Sequence, residues 1–557
     1  MTIRKYLVMV PLVCLVLALV VIGCAAPAPA PTTPAPTTPA PTTPAPAAPK
    51  PTTPAPAAPA PAAPAPSAGP QQYGGKLVWI RNTGISWAGA PVDAPTQTGT
   101  LSLMSPVLEN LFTCDVSERI QPWLVESWKT ASDGKTITFN LKKGIKFQDG
   151  TDFDAEAVKY NLEATLAANC SGTAVLKNVA SYDVVDKYTL NLNMKQYDAR
   201  LFYQLAQSAI GQMASPTAMK KQTTPDNAGK DHCVGTGPFK FDSWSKDQYL
   251  RFVKWDGYWQ KGKPYVDSIE IRNNADVAVS IMSFKAGEVH MVENIDPSQY
   301  IALGKEGYQV GIPPLAFVFS FNFDSANKDS PFADARVRMA AEYAIDKEGM
   351  CKGIGMGTQF PAYQCASPVD AWYIPGIPER KYSPTKAKQL LAEAGYPNGF
   401  TYPLISDVRG RRDQLVAIQT YLKDVGINTT LDMADVPRFT GYSRDGWKGI
   451  LLAGFPNWSA FNSWVQRFTD TVLTAPSQIK PPRWSDDWNA VIAQTDDNIR
   501  LDQMKILLKK IYDDAIFIPY LYDGPRYVMD KAVQDMHWDD NHINGYFDPA
   551  SVWLKKK

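Results

Sequence analysis

The sequence predicts an α/β body built as two or three lobes, preceded by an export segment and a proline-rich spacer. Strand-like and helix-like stretches alternate along the chain after residue 72. The 485 residues from Tyr73 to Lys557 exceed what one ordinary hydrophobic core supports. Charged residues make up 20% of the chain and aromatic residues 11%, which is typical of a globular protein with a large core.

The N-terminal segment has the layout of an export signal. Two early cations precede an uncharged, mostly apolar run from Tyr6 to Gly23. A permanent membrane anchor is the alternative, because the length of this apolar run approaches the roughly 17 residues that a membrane-spanning helix needs. The letters VIGC at 21–24 resemble a bacterial lipobox, in which a small residue precedes a cysteine that becomes diacylated. We therefore expect a lipoprotein signal peptide over 1–24, lipidation of Cys24, and a body that works outside the cell membrane.

Residues 25–70 consist almost entirely of proline, alanine and threonine. Nothing in this composition buries a core, and proline at such density favours extended polyproline II. At about 3.1 Å per residue the segment reaches roughly 140 Å when fully extended. We expect a disordered tether that crosses a cell-wall layer or reaches a partner, and a low-complexity spacer of no selected length is the alternative.

The charge of the body is nearly balanced. Only Arg4, Lys5 and Lys50 are charged before position 73, so 53 basic and 55 acidic side chains remain, a net charge of −2. A body with this balance has no overall excess of positive charge that would favour binding to nucleic acid or anionic lipid. No segment after the export signal is long and apolar enough to span a bilayer.

Local patterns predict regular elements along the body. Asp152 or Asp154 is positioned to cap a helix that runs through Leu166. Gly395 and Gly426 follow helical stretches as left-handed C-caps. The other predicted elements are the strands Lys76–Ile80, Thr136–Leu141, Ile427–Thr430 and Ile516–Leu521, and the helices Ala333–Ile345, Thr385–Ala394, Gln414–Val425 and Leu501–Asp514.

Seven cysteines are present, and two of them belong to the export segment. The other five lack CxxC spacing, which argues against a zinc site. Cys351 and Cys365 flank a glycine-rich stretch short enough to close, and pairs oxidise outside the cytoplasm. We predict a disulfide between Cys351 and Cys365, with Cys170 and Cys233 as a weaker second pair.

No motif gives positive support for catalysis. The four histidines form no HExxH pattern, and no GxSxG elbow is present. The stretch Gly257–Lys263 matches GxxxxGK, yet Pro264 replaces the Ser or Thr that would hold magnesium. His537 and His542 flank two acidic residues, a set that favours a polar loop over a metal site. We expect a protein that is not an enzyme and that uses no cofactor or metal.

Short segments spread over nearly the whole body form an ordered series. They are Glu126–Trp128, Asp133–Lys142, Gly144–Thr151, Val234–Phe239 with Trp244, Tyr258–Trp259 with Gly262–Asp267, and Phe321–Phe323 with Pro331-Phe332 and Arg336–Asp346. Together they resemble the family 5 extracellular solute-binding proteins, the oligopeptide-, dipeptide- and nickel-binding relatives that serve ABC importers. Gln148 stands where that family usually has a histidine, a small departure.

Each of these segments also has a structural interpretation. Asp133-Gly134 is the turn of a hairpin. Gly235 and Gly237 give the backbone φ freedom where the chain crosses between lobes. Three tryptophans are expected to anchor the core rather than to contact a ligand: Trp128, Trp244 and Trp259.

The resemblance implies the two-lobed periplasmic-binding-protein type II (cluster C) fold with an extra subdomain. The implied divisions are a first lobe (73–106, 232–314 and 528–557), an extra subdomain of that lobe (107–231) and a second lobe (315–527). A solute would bind in the cleft between the lobes and be trapped when the hinge closes.

The implied function is that of a monomeric, lipid-anchored, extracytoplasmic component of an ABC transporter. It would capture a peptide, an oligosaccharide or a similar solute and deliver it to permease subunits, while a separate cytoplasmic subunit hydrolyses ATP. A signalling receptor or a surface chaperone on the same fold is the alternative.

The ligand is inferred from one loop and two further positions. Peptide-binding relatives hold the ligand's free amine with an aspartate in a second-lobe loop, whereas the corresponding stretch 455–464 has no acidic residue. The loop offers rings and amides, which suit sugars or flat apolar ligands unless two or more rings fill the core. We therefore expect a neutral polyhydroxylated or apolar ligand. The expected contacts are Trp87, Asn322, Phe455, Asn457, Trp458 and Trp464.

Overall fold

The computed structural model describes residues 70–556 apart from 83, 94–101, 116, 312–316, 408–410, 457–460, 462–464, 466–474 and 537–547. These residues all belong to one compact unit, which spans 58–557. None of the helices in the described ranges has the length and apolar character that a membrane crossing requires. The predicted signal peptide, Cys24 and the tether up to residue 69 lie outside the described residues.

The strands are short, and some of them bury alternate residues, as in β5, where Ile137, Phe139 and Leu141 face the core. In chain order the strands are β1 Lys76–Arg81, β2 Phe112–Cys114, β3 Ile120–Pro122, β4 Val125–Thr130, β5 Thr136–Leu141, β6 Val179–Asp186, β7 Thr189–Met194, β8 Phe239–Ser245, β9 Tyr249–Lys254, β10 Ser268–Asn273, β11 Met291–Glu293, β12 Gln309–Gly311, β13 Phe317–Phe323, β14 Phe360–Pro361, β15 Phe400–Asp407, β16 Ile427–Ala434, β17 Ile450–Pro456, β18 Ile518–Asp523, β19 Tyr527–Met529, β20 Val533–Gln534 and β21 Trp553–Leu554.

The helices begin at capping side chains where the sequence offers them. Asp154, not Asp152, caps the first helix by accepting a hydrogen bond from the Ala157 N–H at 3.0 Å. In chain order the α-helices are α1 Ala155–Ala167, α2 Arg200–Gln207, α3 Pro216–Met219, α4 Ala228–His232, α5 Val277–Lys285, α6 Pro297–Lys305, α7 Ala335–Tyr343, α8 Lys347–Gly353, α9 Pro384–Glu393, α10 Arg412–Asp424, α11 Val436–Asp445, α12 Trp484–Ala493 and α13 Asp497–Asp513. Short 3₁₀ turns lie at Pro91–Asp93, Ser102–Met104, Thr173–Asn178, Ala209–Gly211 and Pro331–Ala333.

Three larger sheets organise these elements. A seven-stranded sheet has the order β12-β19-β11-β1-β10-β9-β8, a six-stranded sheet β14-β18-β13-β17-β15-β16, and a four-stranded sheet β4-β5-β7-β6. We call the seven-stranded sheet with α5 and α6 the first lobe, and the six-stranded sheet with α7–α13 the second lobe. The four-stranded sheet with α1, α2 and the hairpin β2–β3 is called the subdomain.

The centre of the first lobe is β1, which pairs in parallel with β10 on one side and β11 on the other. Leu77, Val78, Trp79 and Ile80 are therefore buried on both faces of the sheet. This explains the continuous apolar run at this point of the sequence.

The chain passes between the first and second lobes twice. One crossing joins β12 to β13, and the other joins β18 to β19 through Gly524–Arg526. The subdomain, by contrast, leaves the first lobe after β1 and returns to it before β8. Covalent links therefore join each of these two bodies to the first lobe and not to each other.

The junction between the subdomain and the first lobe is built on a buried carboxylate. Glu109 accepts four hydrogen bonds, all from neutral donors: Trp123 Nε1 at 3.1 Å, Tyr258 OH at 2.9 Å, Trp259 Nε1 at 3.0 Å and Thr236 Oγ1 at 2.7 Å. Burial raises the pKa of Glu109 to about 7, although each of these hydrogen bonds lowers it. We call this cluster the Glu109 node.

A second connection at this junction is made by Gln148. Its amide donates to the carbonyl oxygens of Gly237 at 3.0 Å and Phe239 at 2.7 Å. The residue that departs from the family pattern therefore ties the subdomain to the start of β8.

The predicted φ freedom of Gly235 and Gly237 is wrong, since neither residue has a positive φ. Their lack of a side chain serves a close approach instead. A Cβ on Gly235 would lie 1.9 Å from the Val107 carbonyl oxygen, and one on Gly237 would lie 2.6 Å from the Pro106 carbonyl oxygen. The C-caps at Gly395 and Gly426 are confirmed, with φ of +91° and +100°.

The predicted disulfide between Cys351 and Cys365 is not formed in the structure, where both side chains are buried. Cys351 lies in α8 and packs in one apolar cluster of the second lobe. Cys365 packs in a different cluster. Short sequence spacing did not bring the two sulfurs together because their side chains are drawn into separate cores. Cys170 and Cys233 are likewise buried and form no disulfide in the structure.

Candidate functional site

A cavity of about 330 Å³ lies between the two lobes, beside the crossing that joins β18 to β19. Residues from both lobes and from the crossing line it: Asn294, Ile295, Phe317, Phe319, Arg411, Gly524, Pro525 and Arg526. Both charged residues in this lining are arginines. Concave sites at the meeting of two lobes are where small ligands usually bind.

The first-lobe wall of the cavity is formed where β1 and β11 end. Because the two strands are parallel, the residues that follow them meet at one edge of the sheet. Asn294 Nδ2 donates to Asn82 Oδ1 at 3.0 Å. Just behind them, Arg81 and Glu293 form a buried ion pair at 3.2 Å. Burial raises the pKa of Glu293 to about 7 against the lowering effect of Arg81.

The second-lobe wall is formed by β13 and by Arg411, the residue just before α10. Phe317 and Phe319 line the cavity, whereas Val318 between them is fully buried in the core. Arg411 occupies the N-cap position of α10, and its guanidinium lies over the Phe319 ring at 4.5 Å. The Arg411 side chain is 34% exposed.

Both arginines of the lining converge on Asp523, a fully buried carboxylate at the end of β18. Arg526 Nη1 donates to it at 2.7 Å, and Arg411 forms the second ion pair. Gln359 Nε2 at 2.9 Å and the Gly524 N–H at 2.8 Å complete the set of donors. We call this cluster the Asp523 node.

Counted over the described residues, the Asp523 node carries an excess of one positive charge, because two guanidinium groups surround one carboxylate. Guanidinium groups remain ionised in proteins and bind carboxylates through paired hydrogen bonds. Arg411 is the more exposed of the two, with 34% of its side chain accessible against 9% for Arg526. The arrangement can therefore hold one further anionic group at Arg411, beside an apolar ring.

The sequence-predicted contacts are placed differently from this cavity. Asn322 is fully buried in β13, where its amide donates to the Leu451 carbonyl oxygen at 3.0 Å and accepts from Gln478 at 3.2 Å. Trp87 is 7% exposed and packs in the core of the first lobe. Within the described residues the Trp87 indole N–H has no hydrogen-bond partner. These positions have structural roles here, and their ligand contacts stay predictions.

The aromatic loop is only partly described. Phe455 lies in β17, opposite Val318 of β13. The structure describes its backbone and not its side chain. Asn457, Trp458 and Trp464 lie outside the described residues. Phe461, in the same loop, is buried in the core and stacks on Tyr203 at 4.8 Å.

Sequence reasoning missed Arg411, Arg526 and Asp523. A signal for the first was present, because three arginines stand at 409, 411 and 412, just before the predicted helix Gln414–Val425. In the ranges that the structure describes, no group of three or more His, Cys, Asp or Glu residues is placed to hold a metal ion.

Comparison with known proteins gives a consistent family. Residues 119–478 match the model "Bacterial extracellular solute-binding proteins, family 5 Middle". The chain is 33% identical over 352 residues to the glutathione-binding protein GsiB of Escherichia coli O1:K1, covering 62% of this chain and 67% of that protein.

Solved structures show the same fold. The periplasmic binding protein DppA of Helicobacter pylori, in complex with the peptide STSA, aligns with a TM-score of 0.70 at 22% identity, covering 87% of this chain and 99% of that one. NikA of Brucella suis, in complex with Fe(III)-EDTA, aligns with a TM-score of 0.74 at 21% identity, covering 86% and 100%. At these identities the likeness establishes a two-lobed periplasmic binding protein fold and no ligand.

Proposed function

Because the chain belongs to the family 5 bacterial extracellular solute-binding proteins, we propose that it captures a small solute bearing a carboxylate and delivers it to an ABC permease. The observation that carries the choice of ligand is the excess positive charge of the Asp523 node, exposed to the interlobe cavity through Arg411. Moving an anion out of water costs desolvation free energy. A guanidinium group that is not already neutralised compensates this cost through charge-assisted hydrogen bonds, whereas an uncharged cleft does not.

The ligands named for the related proteins support this chemistry. GsiB is named for glutathione, DppA is in complex with a peptide, and NikA is in complex with Fe(III)-EDTA. Each of these ligands carries at least one carboxylate. The proposed ligand class is therefore a short peptide or a similar carboxylate-bearing solute, with the carboxylate paired to Arg411 and an apolar part against Phe319.

A neutral oligosaccharide is the competing ligand, predicted from the rings and amides of the loop 455–464. The two ligand classes make opposite demands on Arg411. A carboxylate needs the guanidinium, whereas a sugar stacks on rings and tolerates its loss.

Calorimetry on the purified mature chain tests the choice, with reduced glutathione, tetrapeptides and cello-oligosaccharides as probes. We expect the carboxylate-bearing probes to bind and Arg411→Ala to weaken them roughly tenfold to a hundredfold, since charge-assisted hydrogen bonds contribute about 1.5–3 kcal/mol. Arg411→Lys should retain part of the affinity and lose the planar pairing.

Arg444→Ala is the matched control, because Arg444 pairs with Asp445 on the surface and is far more exposed than Arg411. The control should bind as the unchanged protein does. Tight binding of a neutral oligosaccharide that Arg411→Ala leaves unaltered would overturn the anionic-ligand proposal in favour of the sugar.

The anchor is a separate part of the proposal. We infer that Cys24 is lipidated and that residues 25–70 tether a monomeric body to the outer face of the cell membrane, where the permease lies. Cys24→Ser should release the protein from the membrane fraction. A variant that stays in that fraction with its whole signal segment attached contradicts the lipid anchor and leaves the ligand proposal intact.

A further inference from the structure

The subdomain and the second lobe touch each other although no stretch of chain runs directly between them. Tyr203 of α2 stacks on Phe461 with ring centroids 4.8 Å apart and planes inclined by 29°. The Ala199 N–H donates to the Ile492 carbonyl oxygen at 2.9 Å. The contact is noncovalent and is made by side chains and backbone alike.

A second backbone hydrogen bond crosses the same boundary at the hairpin β2–β3. The Ala371 N–H of the second lobe donates to the carbonyl oxygen of Ser117 at 3.3 Å. Around these contacts, buried apolar side chains from both bodies form one continuous cluster, with Phe202 and Tyr203 on one side and Trp488 and Ile492 on the other.

This interface is open to solvent along one edge. A cavity of about 200 Å³ lies there and is lined by both bodies: Ile120, Trp128, Thr130, Tyr197 and Phe202 from the subdomain, and Thr495, Asp497 and Arg500 from the second lobe. The Asp497 side chain in its wall is 68% exposed. A void with charged and hydroxyl side chains in its wall is typical of wet contact surfaces that form and separate.

The subdomain is fixed to the first lobe much more firmly. The Glu109 node and the Gln148 amide supply five side-chain hydrogen bonds across that junction. When the two lobes rotate about the crossing at Gly524-Pro525, the subdomain therefore moves with the first lobe. Any opening of the cleft must then separate the subdomain from the second lobe.

We propose that this contact is a latch, in which Tyr203, Phe461 and the Ala199–Ile492 hydrogen bond hold the two lobes in the closed arrangement. The strength of the latch sets the fraction of closed protein in the absence of solute. It acts at a distance from the interlobe cavity, because none of the residues that line the cavity contributes to it.

The test is hydrogen–deuterium exchange on the ligand-free chain, read at the amides of Ala199 and Ala371, which donate across the interface. Amides within β1 and β5 serve as internal references. Phe461→Ala should speed exchange at both interface amides about tenfold, the factor expected for one lost aromatic pair, and leave the references unchanged. Small-angle scattering should show a larger radius of gyration for the same variant.

Tyr308→Ala is the matched control, because Tyr308 pairs with Phe284 at the same centroid distance of 4.8 Å inside the first lobe. It should lower the melting temperature without changing the interface amides. If Phe461→Ala does not fold, Phe461→Leu keeps an apolar side chain at the position and removes the stack. Interface amides that exchange only at the rate of global unfolding, in the unchanged chain and in Phe461→Leu, would show a permanent core and no latch. No ligand enters these measurements, so they stand apart from the anionic-ligand proposal.

Discussion

The Glu109 node and the Asp523 node are two buried carboxylates that each make four polar contacts, and they differ in the charge of the groups that contact them. Glu109 receives indole, phenol and hydroxyl groups, all neutral. Asp523 receives two guanidinium groups, one amide and one backbone N–H. The donors to Glu109 therefore bring no positive charge to its carboxylate, whereas the two guanidinium groups at Asp523 bring more positive charge than its carboxylate neutralises. The number of polar contacts alone therefore does not decide what a buried carboxylate does.

The difference follows the roles of the two junctions. Neutral donors around Glu109 join the subdomain to the first lobe without presenting charge to solvent or ligand, and the cost is a pKa raised by burial. The guanidinium donors at Asp523 lie where the chain crosses between lobes and leave positive charge at the cavity. The Glu109 node joins the subdomain to the first lobe, and the Asp523 node places positive charge at the cavity between the first and second lobes.

The largest expected effect comes from removing the Asp523 carboxylate. Asp523→Ala leaves the Arg411 and Arg526 guanidinium groups without their common anion, and breaking a buried ion pair from one side costs about 3–5 kcal/mol. Urea unfolding should show a loss of that size. Asp513→Ala, which removes an exposed partner of Lys509 in α13, is the control and should change stability little. Equal small losses in both variants would mean that water already screens the Asp523 node.

The next effect is a pH dependence at Glu109. Its pKa is about 7 in the folded protein against an ordinary 4.5, so the folded protein binds this proton more tightly than the unfolded chain does. Stability from this group is therefore fully present below pH 4.5 and is lost as the pH rises to 7, by roughly 3 kcal/mol. Glu109→Gln cannot titrate and should lack this fall.

The difference between the two stability curves isolates Glu109 from Glu293, whose pKa is also raised to about 7. Curves for the unchanged protein and Glu109→Gln that run parallel between pH 4.5 and 7 would show that the neutral donors compensate the charge after all. The two nodes would then be equivalent.

A smaller effect is expected from one neutral donor. Tyr258→Phe removes the hydroxyl that donates to Glu109 at 2.9 Å and should cost about 1–2 kcal/mol above pH 7, where the carboxylate is ionised. Tyr182→Phe is the control, because the buried Tyr182 hydroxyl has no hydrogen-bond partner in the described part of the chain. Its loss should be neutral or slightly stabilising. Urea unfolding at pH 8 measures both, and equal losses would contradict the assigned role of the Tyr258 hydroxyl.

The smallest effect concerns the cation nearest to the Glu109 node. Lys142 Nζ lies 4.7 Å from the Trp259 ring centroid and 5.6 Å from that of Trp123. Lys142→Met keeps the aliphatic stem and removes the charge, at an expected cost of about 0.5–1 kcal/mol. A loss as large as that of Asp523→Ala would mean that Glu109 also depends on a cation. The contrast between the two nodes would then fail.

Much of the fold could be predicted because local chemistry decides it. The glycines Gly395 and Gly426 predicted the ends of two helices to within a residue or two. The alternation of polar and apolar residues in Thr136–Leu141 predicted the bounds of a strand. The helix predicted from Leu501 begins four residues earlier, at Asp497, because Asp496 caps it. A cap that lies before the apolar pattern begins is easily overlooked.

The site could be predicted far less well, because it is assembled from distant segments. Asp523, Arg411 and Gln359 are brought together by the six-stranded sheet, and no local pattern links them. Asn322 is polar and stands in a family segment, which suggested a ligand contact. Its partners Leu451 and Gln478 lie more than 120 residues away, so only the folded chain shows that its amide is already satisfied.

The burial of every cysteine in the body has a practical consequence for measuring motion. The sequence has five cysteines after position 24, and none is more than 4% exposed. A mature chain lacking Cys24 therefore presents no accessible sulfur to a maleimide dye under native conditions. A cysteine introduced at Ile506, which is 67% exposed on α13, becomes the one reactive position.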